Sequence, residues 1–204
     1  MSSQNRITRA YKTAKRVCFN DQSKFIIFSD IHRGDNSFAD DFSNNRNIYY
    51  HALKHYYKKG FTYCELGDGD ELWENIEFES IFYAHQNIFD LMKKFYNEDR
   101  LYRLLGNHDM IYSKKRYVEK HLFSYYDKVT GQDEPLFPGI TFSEGLVLEH
   151  EDTNQEIFML HGHQAEWMNY IGWRFNRLWF ESSGGNCKYL ALAIQPALLK
   201  TIRK

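Results

Sequence analysis

The sequence has little cysteine, little proline and no long apolar run, and each shortage removes a class of protein. Only three of the 204 residues are cysteine (Cys18, Cys64 and Cys187), and none forms a CxxC pair. An odd number at wide spacing excludes a disulfide framework and a thiolate zinc site, and points to a reducing cytoplasm. No apolar h-region of a secretory signal is present. The longest apolar stretch, Tyr189 to Leu199, is broken by Gln195 and Pro196, and it falls short of the roughly 20 residues a membrane span needs. A surplus of charge is also missing. There are 26 basic and 27 acidic residues, for a net charge of −1, so bulk charge offers no argument for nucleic acid or an anionic membrane as partner. The motifs G-x-S-x-G, G-x-x-x-x-G-K-[ST] and G-x-G-x-x-G do not occur, which sets aside a serine hydrolase, a nucleotide-fuelled enzyme and a dinucleotide oxidoreductase.

Aromatic residues, by contrast, are plentiful: 16 Phe, 15 Tyr and 4 Trp. They are expected to fill the core. The first sixteen residues carry Arg6, Arg9, Lys12, Lys15 and Arg16 without an acid. On a helix, Arg6, Arg9 and Lys12 or Arg16 would share one face, read here as solvated.

Beyond this basic segment, strand-like and helix-like patterns alternate. Short apolar runs at 24–29, 61–66 and 100–105 read as strands. Residues 41–59, ending at Gly60, and 77–96 show helical recurrence. This order predicts βαβ units and a parallel sheet. Residues 128–139 read as a loop. Residues 140–149 and 156–160 predict a second, more antiparallel sheet, and 165–180 and 187–201 predict helices. The expected class is α/β in a single domain over residues 1–204.

Polar residues cluster after four of these strands: Asp30-Ile31-His32, Gly67-Asp68, Gly106-Asn107-His108-Asp109 and His161-Gly162-His163. In an open α/β sheet the loops at the carboxyl ends of strands converge on one crevice. Asp oxygen and His nitrogen are the usual ligands of divalent zinc, manganese and iron. Asp30 and His32 reach the same side if the segment stays extended. Gly67 lets the chain turn sharply to bring Asp68 inward. Two cations about 3.5–4 Å apart can hold a bridging hydroxide as nucleophile for in-line displacement at phosphorus. His108 is then the general acid, with Asp109 orienting its imidazole. Arg33, beside His32, is a candidate for a bidentate phosphate contact, and His163 for a position near the second cation or the substrate. His51 and His55, one helical turn apart, read as exposed. His85, His121 and His150 have no clustered partner in the sequence.

These motifs, D-x-H, G-D, G-N-H-D and H-G-H over residues 24–180, resemble the calcineurin-like metallophosphoesterases. The resemblance implies a two-sheet β-sandwich flanked by helices. It also implies two divalent metal ions, with Mn2+ first and Fe or Zn as alternatives. By motif, Asp30 and His32 would bind the first cation, Asp68 would bridge, and Asn107 and His161 would bind the second. The segment Leu66 to Trp73 is similar to the L-G-D-x-x-D-x-W form of the branch resembling UDP-2,3-diacylglucosamine pyrophosphatases. A phosphorylated small molecule or lipid-linked phosphate ester or pyrophosphate is therefore the expected substrate, with nucleic acid not favoured. The family's last motif, G-H-x-H, is absent after residue 163. The chain is accordingly expected to be a fragment or truncated relative lacking its C-terminal strands. The alternative function is a non-catalytic or impaired binding or scaffold protein on the same fold.

Overall fold

The computed structural model describes residues 3–75 and 77–165. The helices expected at 165–180 and 187–201 lie outside the described residues, apart from Ala165. Within them the chain is mixed α/β. Helix α1 (Ser3–Lys12) leads into strand β1 (Lys15–Phe19). Then come β2 (Phe25–Phe28), α2 (Arg46–Lys58), β3 (Thr62–Glu65), α3 (Phe78–Ala84), α4 (Gln86–Asn97) and β4 (Leu101–Arg103). Helix α5 (Lys115–Leu122), β5 (Ser124–Asp127), β6 (Gln132–Pro135), β7 (Leu146–His150) and β8 (Glu156–Met159) complete the order.

Strands β2, β3 and β4 form a parallel sheet in that order, as the βαβ pattern requires. The second sheet has the order β1-β7-β8, with β1 parallel to β7 and β8 antiparallel to it. It is mixed because its first strand comes from the chain's N-terminal region. β5 and β6 form an antiparallel hairpin.

Alternation along β3 shows how the layers meet. Tyr63 is packed into the main core with α2, α3 and α4, whereas Cys64 belongs to a smaller cluster with Leu104, Leu146 and Leu148. One face of the β2-β3-β4 sheet is thus covered by helices, and the other packs on residues of β7. On α4 the buried residues Ile88, Phe89, Leu91, Met92 and Phe95 recur at helical spacing. Truncating one of the buried rings, Phe89→Ala, would cost about 3–5 kcal/mol.

The sequence reading and the structure differ in four places. The expected helix over 77–96 is two helices, α3 and α4, broken at His85, which is fully buried with its Nε2 3.0 Å from Asp40 Oδ2. The N-terminal helix stops at Lys12, so Arg16 lies on β1, where it pairs with Glu149 and Glu156. Arg6 is not on a solvated face but is only 3% exposed. The loop expected over 128–139 contains β6, a strand of polar residues that no apolar alternation marks. Among the described residues no helix is long and apolar enough to cross a membrane.

Candidate metal centre

The loops after β2 and β3 continue the parallel pairing of their strands. The N–H of Asp30 donates to Gly67 O at 3.2 Å, that of His32 to Asp68 O at 2.9 Å, and that of Arg33 to Gly69 O at 3.0 Å. This zipper bends the backbone out of the extended form assumed for Asp-x-His. Asp30, His32 and Asp68 all have positive φ, at 56°, 51° and 51°. Aspartate tolerates the left-handed region and histidine does so less readily. Each such residue costs of the order of 1–3 kcal/mol, held in place by the surrounding bonds. The sharp turn at Gly67 is present, with φ 90°. The third loop closes against it. A Cβ on Gly67 would lie 2.7 Å from Gly106 N, and one on Gly106 would lie 2.0 Å from Asp68 Oδ1. Glycine at both positions is what lets the loops touch.

Asp68 stands at the centre of the resulting cluster. One trio of potential ligand atoms comes from His32, Asp68 and His108, and a second from Asp30, Asp68 and His161; within each trio the atoms lie within 4.8 Å of one another. Asp68 is common to both. Its Oδ2 is 3.7 Å from His32 Nε2 and 3.1 Å from His161 Nε2, and its Oδ1 accepts the backbone N–H of His108 at 2.8 Å. His161 Nδ1 lies 2.9 Å from the carbonyl oxygen of Leu66, to which it can only donate. That bond directs Nε2 inward, toward Asp68 and the Asn107 amide oxygen 3.3 Å away. The structure therefore brings Asp30, His32, Asp68, Asn107, His108 and His161 into one cluster.

Glu71 has a role that motif reading alone did not assign. Its Oε2 lies 2.9 Å from His32 Nδ1 and 2.7 Å from His108 Nδ1. Burial opposes its ionisation, but the bonds from His108 and His32 prevail and draw its carboxyl down to about 2. An ionised carboxylate only accepts, so both rings donate from Nδ1 and are left with Nε2. The indole of Trp73 stacks on His108, with centroids 3.9 Å apart and planes at 18°, and its Nε1 donates to Asn107 O at 2.8 Å. Glu71 and Trp73 both lie in the Leu66–Trp73 segment. The missed signal was their three- and five-residue spacing from Asp68, which carries them back to the third loop.

Two expected roles need correction, those of Asp109 and Arg33. Asp109 does not reach the His108 imidazole. It is buried, and its two oxygens accept the N–H groups of Gly69 and Gly106 at 2.9 and 2.7 Å, so it ties the second loop to the third. Burial and the charge of Asp68 push its carboxyl up to about 7. Arg33 is fully buried, bonded to Glu65 through both Nη atoms at 2.7 and 2.9 Å and to Asp70 through Nε at 2.7 Å. A guanidinium so enclosed is not presented to a substrate. His163 is 3% exposed, with its ring centroid 5.6 Å from that of His161. Burial and the neighbouring charge of His161 lower its imidazole to about 4, and its place beside His161 agrees with the expected position near the second cation.

The remaining histidines sort as follows. His51 and His55 are exposed on α2. His121 bonds Glu79 at 2.6 Å and His150 bonds Asp21 at 3.2 Å, carboxylates that are remote in sequence.

The charge state of the cluster bears on whether cations fit it. Burial disfavours charge on both His161 and Asp68. The bond between them outweighs it, raising His161 to about 9 and lowering Asp68 to about 2. A proton on His161 thus supplies positive charge beside the central carboxylate, as a divalent cation would. The donor types, the shared carboxylate and the fixed tautomers all suit oxygen- and nitrogen-binding divalent ions. No protein-family model, curated protein or solved structure matches this chain. The case for function therefore rests on this geometry and on the motifs.

Proposed function

We propose that the protein is a hydrolase of phosphate esters or pyrophosphates that uses two divalent cations, on a fold of the calcineurin-like metallophosphoesterase type. The observation that carries this reading is the position of Asp68, shared between two trios of potential ligands drawn from the loops after the parallel strands β2, β3 and β4 and from the turn after β8. His32 and Asp68 would hold one cation. Asp30, Asp68 and His161 would hold the other, with the Asn107 amide oxygen beside His161, so Asp30 falls with the second cation and not with His32 as the motif implied. Divalent cations there supply charge neutralisation for a phosphoryl group and an acidified water at neutral pH.

The chain's own residues then divide the work. The fixed left-handed backbone at Asp30, His32 and Asp68 preorganises the oxygen and nitrogen donors. His108, aligned by Glu71 and covered on one face by Trp73, is the general acid. As hydroxide attacks phosphorus and the bond to the leaving group breaks, the ring, protonated at both nitrogens, gives its Nε2 proton to the departing oxygen and keeps the Nδ1 proton that it donates to Glu71. An open pocket of about 290 Å3 borders Asp30 and is lined by Phe28, Ile31, Phe42 and Tyr49. It suits the apolar part of an amphiphilic phosphate ester, in keeping with a lipid-linked substrate.

The test is hydrolysis of a generic aryl phosphate by the manganese-loaded protein, with His108→Ala as control. Turnover that falls by about 10²–10⁴ in the variant, with manganese still bound, supports the reading. Tight manganese binding without turnover in the wild type would favour the binding or scaffold alternative instead.

A further inference from the structure

We infer that Arg6 is a positioning residue for the His161 side of the metal centre, which makes helix α1 part of that site. The inference rests on the two-cation reading above.

His161 follows β8, which pairs only with β7 among the described strands. The next residue, Gly162, has φ 104°, and a Cβ placed on it would meet nothing within 4 Å among the described residues. Among these residues the turn that follows His161 is held by hydrogen bonds rather than by packing on Gly162. The turn is held from the other end of the chain. Arg6 Nε donates to Gln164 O at 2.7 Å, a buried bond between residues 158 apart in sequence. Arg6 Nη2 also bonds Ser3 Oγ at 3.0 Å, and Ser3 Oγ donates to Ala165 O at 2.9 Å. The Gln164 side chain completes the clasp, accepting from Gly162 N at 3.2 Å and donating to Glu144 O at 3.3 Å.

The helix itself is anchored through the chain that follows it. Lys15 N donates to Gly145 O at 3.0 Å, and β1 then runs in register with β7. The clasp thus links the second sheet to the turn beyond His161. His32, Glu71 and His108 are held by separate bonds in the first three loops. Losing Arg6 should therefore loosen one cation and spare the other.

The experiment compares wild type with Arg6→Met and Arg6→Lys by manganese titration, reading stoichiometry and affinity by calorimetry and the coupled-pair signal by electron paramagnetic resonance. Wild type is expected to bind two ions. Arg6→Met is expected to keep one and to bind the other about 10–100-fold more weakly, the usual effect of removing an outer support. Arg6→Lys should recover part of that affinity. Two ions bound by Arg6→Met with wild-type affinities would overturn the inference. A wild type that binds no pair would overturn the two-cation reading and this inference with it. If Arg6→Met does not fold, Ser3→Ala decides, because it removes only the two bonds of Ser3 Oγ, to Ala165 O and from Arg6 Nη2, and leaves Arg6 in place. It should weaken one ion severalfold at unchanged melting temperature, and unchanged affinity for both ions would refute the clasp.

Discussion

Replacing Arg33 by methionine should unfold the protein more readily rather than weaken its hold on a substrate. Arg33 and Arg103 are buried opposite Glu65 and Asp70. Arg33 contacts both carboxylates, and Arg103 bonds Glu65 at 2.6 Å and Asp70 at 2.7 Å. Tyr63 and Tyr112 each add a hydroxyl donor at 2.6 Å, to Glu65 and Asp70 respectively. Burial opposes ionisation of both carboxyls, and the two guanidiniums overcome it, holding both below the usual range. Arg33→Met leaves two buried carboxylates facing one guanidinium. Breaking a buried pair in this way costs about 3–5 kcal/mol, roughly a fifth or more of the stability of a typical domain. For a domain of this size the melting temperature should fall by roughly 6–20 °C. Thermal unfolding followed by circular dichroism measures the drop. Adding Asp70→Leu removes the stranded charge, so the double variant should be more stable than the sum of the single effects predicts, by about 0.5–3 kcal/mol. The reasoning fails if Arg33→Met melts within about 2 °C of wild type and instead binds phosphate esters poorly, because Arg33 would then be the phosphate contact its sequence position suggested.

Further outcomes follow from the same contacts. Glu71→Gln removes the anion shared by the His32 and His108 rings and should lower kcat or metal affinity by about 10–100-fold, read by steady-state kinetics and titration. Gly106→Ala places a methyl 2.0 Å from Asp68 Oδ1 and 2.2 Å from its backbone nitrogen. It should abolish manganese binding and destabilise the fold by about 1–3 kcal/mol, checked by denaturant titration. The buried His85 has a lowered pKa, because burial outweighs its bond to Asp40. The unfolded chain therefore takes up this proton more readily. The neutral ring's contribution is full above an unfolded pKa of about 6.5 and is lost as pH falls through the lower folded value. Against His85→Asn, the wild-type advantage in urea midpoint should shrink as pH drops below about 6.5, and an advantage that grows instead would contradict the assignment.

Much of the centre was legible because chemistry and strand order coincide. The apolar runs ending in Ser29, Leu66 and Leu105 mark parallel strands, and parallel strands bring their carboxyl ends together. What escaped had no local pattern. The left-handed backbone at His32 arises from pairing with Asp68, 36 positions away, and nothing in Asp-x-His encodes it. Arg33 looked like a loop cation because Glu65 and Asp70 meet it only once the sheet has formed. Asp109 follows His108 in the chain, yet its carboxylate turns to the backbone of Gly69 and Gly106, and Glu71 takes the orienting role. Strand β1 was hidden among basic residues whose register is set by β7, and β6 consists of polar residues paired to the tyrosines of β5.

The most direct measurement is anomalous diffraction from crystals soaked in manganese. Two peaks about 3.5–4 Å apart are expected, both within coordination distance of the Asp68 carboxylate, one beside His32 and the other beside His161. No peak at Asp68, or a single peak that leaves either histidine uncoordinated, would contradict the account.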